Sequence, residues 1–133
     1  MKLLKYLLVI FVVLLHYSCT TEPENDYINF KIKVDKLTRP DTISVNDSLT
    51  IIFDGFVGSD GCHRFTHFEV NEKVNELEIT VWGSRPNFDT VCPTVMVNLD
   101  GKEYKILLKQ TGIFRIVIHQ PNNSLLIDSV FVQ

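Results

Sequence analysis

Cys62, His63 and His67 stand within six positions of one another in the stretch SDGCHRFTHFEV, residues 59–70, beside Asp60, Arg64 and Glu69. Thiolate and imidazole are donors that zinc accepts readily, and a structural zinc site takes four of them. Cys92 and His119 are the further soft donors in the body of the chain, and their spacing follows no zinc pattern. A Cys–His pair can also supply a nucleophile, which needs a free thiol of lowered pKa and a group that orients the imidazole. A metal-binding or enzymatic domain centred on Cys62, His63 and His67 is therefore one reading of this stretch. A structural role for all three at the start of a strand is the other.

The remaining chemistry is sparser. Ser59 and Ser84 lack the Gly-x-Ser-x-Gly elbow that exposes a serine nucleophile. Asp54, Asp60, Asp89 and Asp100 fall among turn residues, where a carboxylate serves the backbone. There is no glycine-rich phosphate loop and no dinucleotide fingerprint, and no cofactor is expected. Trp82 precedes GSRPNF, which contains Arg85 and Phe88. An exposed aromatic beside an arginine is a binding anchor for a sugar or a protein. Alternatively, the same loop folds back and covers the indole.

The elements that must position these groups are strands. YINFKIKV alternates Ile28, Phe30, Ile32 and Val34 with polar residues, the period of a half-buried strand. SLTIIF, ELEITV, EYKILL and IFRIVI repeat the pattern, with Leu77, Ile79 and Val81 inward and Glu78, Thr80 and Trp82 outward in ELEITV and its extension. LLIDSVFV makes a last strand, and RFTHFEV and PTVMVNL two shorter ones. A strand beginning at Arg64 puts Phe65 and His67 on one face, Thr66 and Phe68 on the other. Phe53, Phe56, Phe65 and Phe68 are expected to pack in the core or between sheets. Turn residues (VND, GSDG, LDG, QPNNS) separate the runs at near-regular intervals, as in a sandwich or barrel of short strands.

Three segments resemble known families. DTISVNDSLTIIFDGF and TGIFRIVIHQPNNSLLIDSVFVQ are similar to the early and closing strands of immunoglobulin-like bacterial domains. The resemblance implies an all-β, immunoglobulin-like antiparallel β-sandwich of about 7–8 strands over residues 27–133. At the other end, Lys2 and Lys5 precede an unbroken apolar run from Leu7 to Leu15, then Ser18 and Cys19. The run is shorter than the roughly 20 apolar residues of a membrane-spanning helix, and it suits a signal peptide over residues 1–18; an uncleaved anchor is the alternative. The order resembles a lipoprotein signal of the Bacteroidota type, although Leu15 stands one place too far from Cys19. By that resemblance Cys19 is lipidated. TTEPEND then continues the chain as an acidic tether over residues 19–26, and Thr20 favours the outer membrane, on its periplasmic or its surface face.

Assigning Cys19 to lipid leaves Cys62 and Cys92 as a pair in a compartment where disulfides persist. Their bond consumes the thiol that catalysis or metal binding would need. Without Lys2 and Lys5, the 13 Lys+Arg fall to 11 against 16 Asp+Glu, which argues against a nucleic-acid partner. The function expected is non-catalytic binding, adhesion or assembly in the cell envelope. Its partner would be a surface protein or a glycan, met by the loops at residues 55–64 and 83–93. A carbohydrate-binding module using Trp82 is the alternative.

Overall fold

The computed structural model describes residues 26–133; the expected signal peptide, Cys19 and residues 20–25 of the expected tether lie outside the described residues. Among the described residues all regular structure is strand, in eleven segments. These are β1 (Tyr27–Lys31), β2 (Lys36–Thr38), β3 (Thr42–Ile43), β4 (Ser48–Asp54), β5 (Phe56–Gly58) and β6 (Arg64–Lys73). They continue with β7 (Glu76–Pro86), β8 (Val97–Asn98), β9 (Lys102–Leu107), β10 (Gly112–His119) and β11 (Leu125–Val132).

The segments form a sandwich. A six-stranded sheet holds β1, β3, β6, β7, β10 and β11, a three-stranded sheet runs β2-β4-β9, and β5 pairs with β8 in a small ribbon. The two larger sheets share one core. Leu49, Ile51 and Phe53 of β4 meet Leu77, Ile79 and Val81 of β7, and Phe114, Ile116 and Ile118 of β10. Burying one such side chain contributes about 1.5–3 kcal/mol, so the alternation of these strands drives the fold. The hairpin β10–β11 with β3 alongside β11 faces the β4–β9 pair, which makes the domain an all-β sandwich. The eleven segments exceed the seven or eight expected because several are only two or three residues long. Two contacts, β3 with β11 and β7 with β10, are parallel.

The turns have the expected chemistry. Asn46, Asn75, Asp100 and Asn123 take positive φ, a conformation that asparagine and aspartate tolerate better than most residues. Each sits between strands that the hydrophobic alternation had separated.

Strand β7 organises the larger sheet. Strand β6 pairs antiparallel along one of its sides, from Glu76 to Ser84. The other side is divided: β10 runs parallel to Glu76–Thr80, and β1 runs antiparallel to Trp82–Pro86. The junction falls beyond Lys31, where the chain leaves the ladder after Ile32 N–H donates to Val81 O at 2.8 Å. Gln120, which is buried, closes it: Nε2 donates to Val34 O at 3.0 Å and Oε1 accepts from Val34 N–H at 3.1 Å.

Three expectations need correction. A β-bulge between Phe65 and His67 adds one residue to β6 and reverses the alternation beyond it. Phe65 and Phe68 therefore share the inner side, with ring centroids 5.0 Å apart, and Phe68 meets Phe53 of the opposite sheet at 4.8 Å. His67 does not share a face with Phe65. Phe56, expected in the packing, is exposed. PTVMVNL forms strand only at Val97–Asn98, leaving Val95 and Met96 in an exposed loop.

Candidate functional site

Cys62 and Cys92 are joined in a disulfide, with Cα atoms 5.4 Å apart. The bond ties the turn before β6 to the loop between β7 and β8, and Gly61 N–H donates to Pro93 O beside it at 2.8 Å. Asp60 organises the turn: its Oδ1 accepts from Cys62 N–H at 3.0 Å and lies 2.9 Å from His63 Nδ1. The His63 contact, then the Cys62 N–H, hold the Asp60 carboxyl below the usual carboxylate range.

His63 is packed rather than presented. Its ring lies edge-on to Phe30, with centroids 5.6 Å apart. It also covers Gly58, where an added Cβ would sit 2.1 Å from His63 Cγ. His67 points to the exposed side of β6, with Nδ1 3.1 Å from Thr66 Oγ1. The structure thus separates the two histidines that the sequence placed four residues apart. Asp60 lies with both sulfur atoms in a group spanning 4.8 Å, but those atoms are bonded to each other. Neither is then a thiolate able to ligate a metal or attack a substrate.

Trp82, Arg85 and Phe88 do not form one patch. Strand alternation sends Arg85 to the side opposite Trp82. Arg85 joins Phe88, Asp60, His63 and the disulfide around a pocket of about 170 Å³. Trp82 lies on the outer face of the six-stranded sheet, half-buried, and the loop of residues 87–96 does not line the space beside it. Its Nε1–H donates to Glu69 Oε2 at 2.7 Å.

This indole borders a groove of about 340 Å³ in which four strands meet. Lys31 comes from β1, Glu69 and Asn71 from β6, Glu78 and Thr80 from β7, and His119 from β10. Asn71 Nδ2 donates to Glu78 Oε2 at 2.9 Å, and Lys73 Nζ lies 2.5 Å from Glu78 Oε1. The Lys73 contact, then the Asn71 amide, hold the Glu78 carboxyl below its ordinary range. The even positions of β7 announce Glu78 and Thr80 as outward neighbours of Trp82. Lys31, Asn71 and His119 join them only through strand register, which no local pattern reveals.

North of Trp82 on the same face (toward Pro86), Arg64 Nε donates to Ser84 Oγ at 3.0 Å. Its guanidinium lies over the Tyr27 ring, 4.4 Å from the centroid. That stacking closes the face at one end and leaves the groove open beside the indole.

Compared with protein-family models, curated proteins and solved structures, the chain matches none of them.

Proposed function

We propose that the protein is a lipid-anchored envelope protein whose sandwich binds a glycan without catalysis, in the groove beside Trp82. The observation that carries this reading is the indole itself, oriented by Glu69 on an open sheet face among Glu78, Asn71, Thr80, Lys31 and His119. A sugar ring offers an apolar face bordered by hydroxyl groups. An aromatic wall with a few placed donors and acceptors matches both parts. The carboxylates and the Asn71 amide accept from hydroxyls, while Lys31 and the Asn71 amide donate to them.

The anchor in this reading is Cys19. The order of Lys2, Lys5, the apolar run, Ser18 and Cys19 supports it, as does the acidic stretch that follows. Several acyl chains on one residue hold a domain far more firmly than a single chain does. The outer membrane is the compartment favoured by Thr20 after the cysteine, and the Cys62–Cys92 bond suits an exported domain.

Two measurements test the two halves. Fractionation of cells carrying the wild type and Cys19→Ala should move the protein out of the membrane fraction in the variant; retention there would refute lipid anchoring. A glycan array probed with the wild type should give binding that Trp82→Ala abolishes; equal binding by both would refute the groove.

A further inference from the structure

Asp26, where the described chain begins, meets the disulfide loop at one end of the sandwich. Tyr27 pairs with Pro86, and Asn87 N–H donates to Asp26 O at 2.8 Å, so the described chain starts against the loop that leaves β7. That loop, residues 87–96, carries apolar side chains in water: Phe88 is 54% exposed, Val91 96%, Val95 52% and Met96 68%. Ile28, also exposed, sits opposite Arg85 on β1 at the same end. Isolated exposed apolar residues need no explanation, but a cluster on one loop marks a contact surface.

We propose that this loop docks into the headgroup region of the bilayer that holds the lipid anchor. The proposal rests on the lipid-anchor reading of Cys19. Seven residue steps separate Cys19 from Asp26, which span at most about 25 Å when fully extended. A domain tethered so closely meets the membrane with the end where the tether arrives. Phe88, Val91, Val95 and Met96 are the groups carried by the loop at that end. Apolar side chains gain by entering the interface, as the apolar face of an amphipathic helix does to a depth of about 5–10 Å. The support is visible: Cys62–Cys92 and the Gly61–Pro93 hydrogen bond brace the loop from behind. Docking in this way leaves the Trp82 groove on the flank of the domain, open to solvent.

The test uses the full chain with its single tryptophan moved. Trp82→Phe combined with Phe88→Trp, or with Val91→Trp, is produced in a bacterial envelope and reconstituted into phosphatidylethanolamine–phosphatidylglycerol vesicles. Half the vesicles carry brominated acyl chains, which quench tryptophan at short range. Circular dichroism confirms that the variants fold, and intact mass reports the acyl chains. The loop tryptophans should lose at least half their emission on brominated lipid, while Trp82 in the wild type keeps its own. An acylated protein whose loop tryptophans are unquenched overturns the docking and leaves the anchor standing. A non-acylated protein that is still quenched supports docking and overturns the anchor. Absence of both acyl mass and quenching overturns the two together, and quenching of Trp82 in place of the loop residues overturns the proposed orientation.

Discussion

The Gln120 side chain engages both hydrogen-bonding groups of the Val34 backbone, across a sequence separation of 86 residues. It does so where β1 has left the ladder and β10 has reached its end, so one amide completes the flank of β7 between two strands. Val34 and Gln120 are both buried, where an unpaired N–H or C=O would be costly.

Gln120→Ala removes both partners of Val34 and should cost about 2–4 kcal/mol of stability. Gln120→Glu keeps an acceptor, loses the donor and brings a charge into the interior, so it should cost at least as much near neutral pH. Urea unfolding of the three proteins checks this. Equal midpoints would show that the junction is held by other contacts.

Gly58 leaves room for the His63 ring. Gly58→Ala places a methyl group against Cγ and should destabilise by about 1–3 kcal/mol, the usual range for overpacking. In a His63→Ala background the same substitution should cost much less, because the clash has been removed. Additive costs in the double-mutant cycle would show that the ring moves aside without penalty.

The disulfide encloses a separation of 30 residues. Its loss in the Cys62→Ala, Cys92→Ala double variant should reduce stability by about 3–4 kcal/mol through loop entropy. Urea unfolding is the measurement. The loop around residue 91 should also become the first site of proteolysis, since it is the segment the bond braces.

Acid should unfold the protein through particular carboxylates. Asp60 is held low by His63 and the Cys62 N–H, and Asp128 by Arg39, whose Nε and Nη2 lie 3.1 and 2.5 Å from its two oxygens. A carboxyl depressed in the native state contributes stability above its unfolded pKa and loses it as pH falls through the native value. Stability should therefore decline below about pH 4, where the unfolded chain binds protons that the native carboxylates resist. Asp128→Asn should cost about 1 kcal/mol at neutral pH, the pair being partly solvent-screened, and should flatten that decline. An unchanged acid profile in the variant would contradict the role given to Asp128.

Leu49, Ile51 and Phe53, with Leu77, Ile79 and Val81, were legible as inward rows because period two survives in any regular strand. The turns at Asn46, Asn75 and Asp100 were legible for their local chemistry. The bulge at Phe65–His67 was not, because one extra residue in one strand leaves no mark on a period-two pattern. It reversed the expected side of His67. Nor was the divided flank of β7, which depends on β1 and β10 arriving from distant parts of the chain. Trp82 was legible as outward from its odd neighbours, yet its association with Arg85 failed by the same alternation, and Phe88 lies beyond β7 in the loop. Positions an odd number apart in a regular strand, as Trp82 and Arg85 are, face opposite ways.

The most direct test of the central claim uses the chain's one tryptophan, which gives one indole N–H signal in a nitrogen-15 correlation spectrum. Titrating the folded protein with a glycan identified on the array should shift that signal saturably. The backbone signals of Glu69, Asn71, Glu78 and His119 should move with the same midpoint. Saturable binding that leaves the Trp82 indole signal unmoved would contradict the groove as the binding site.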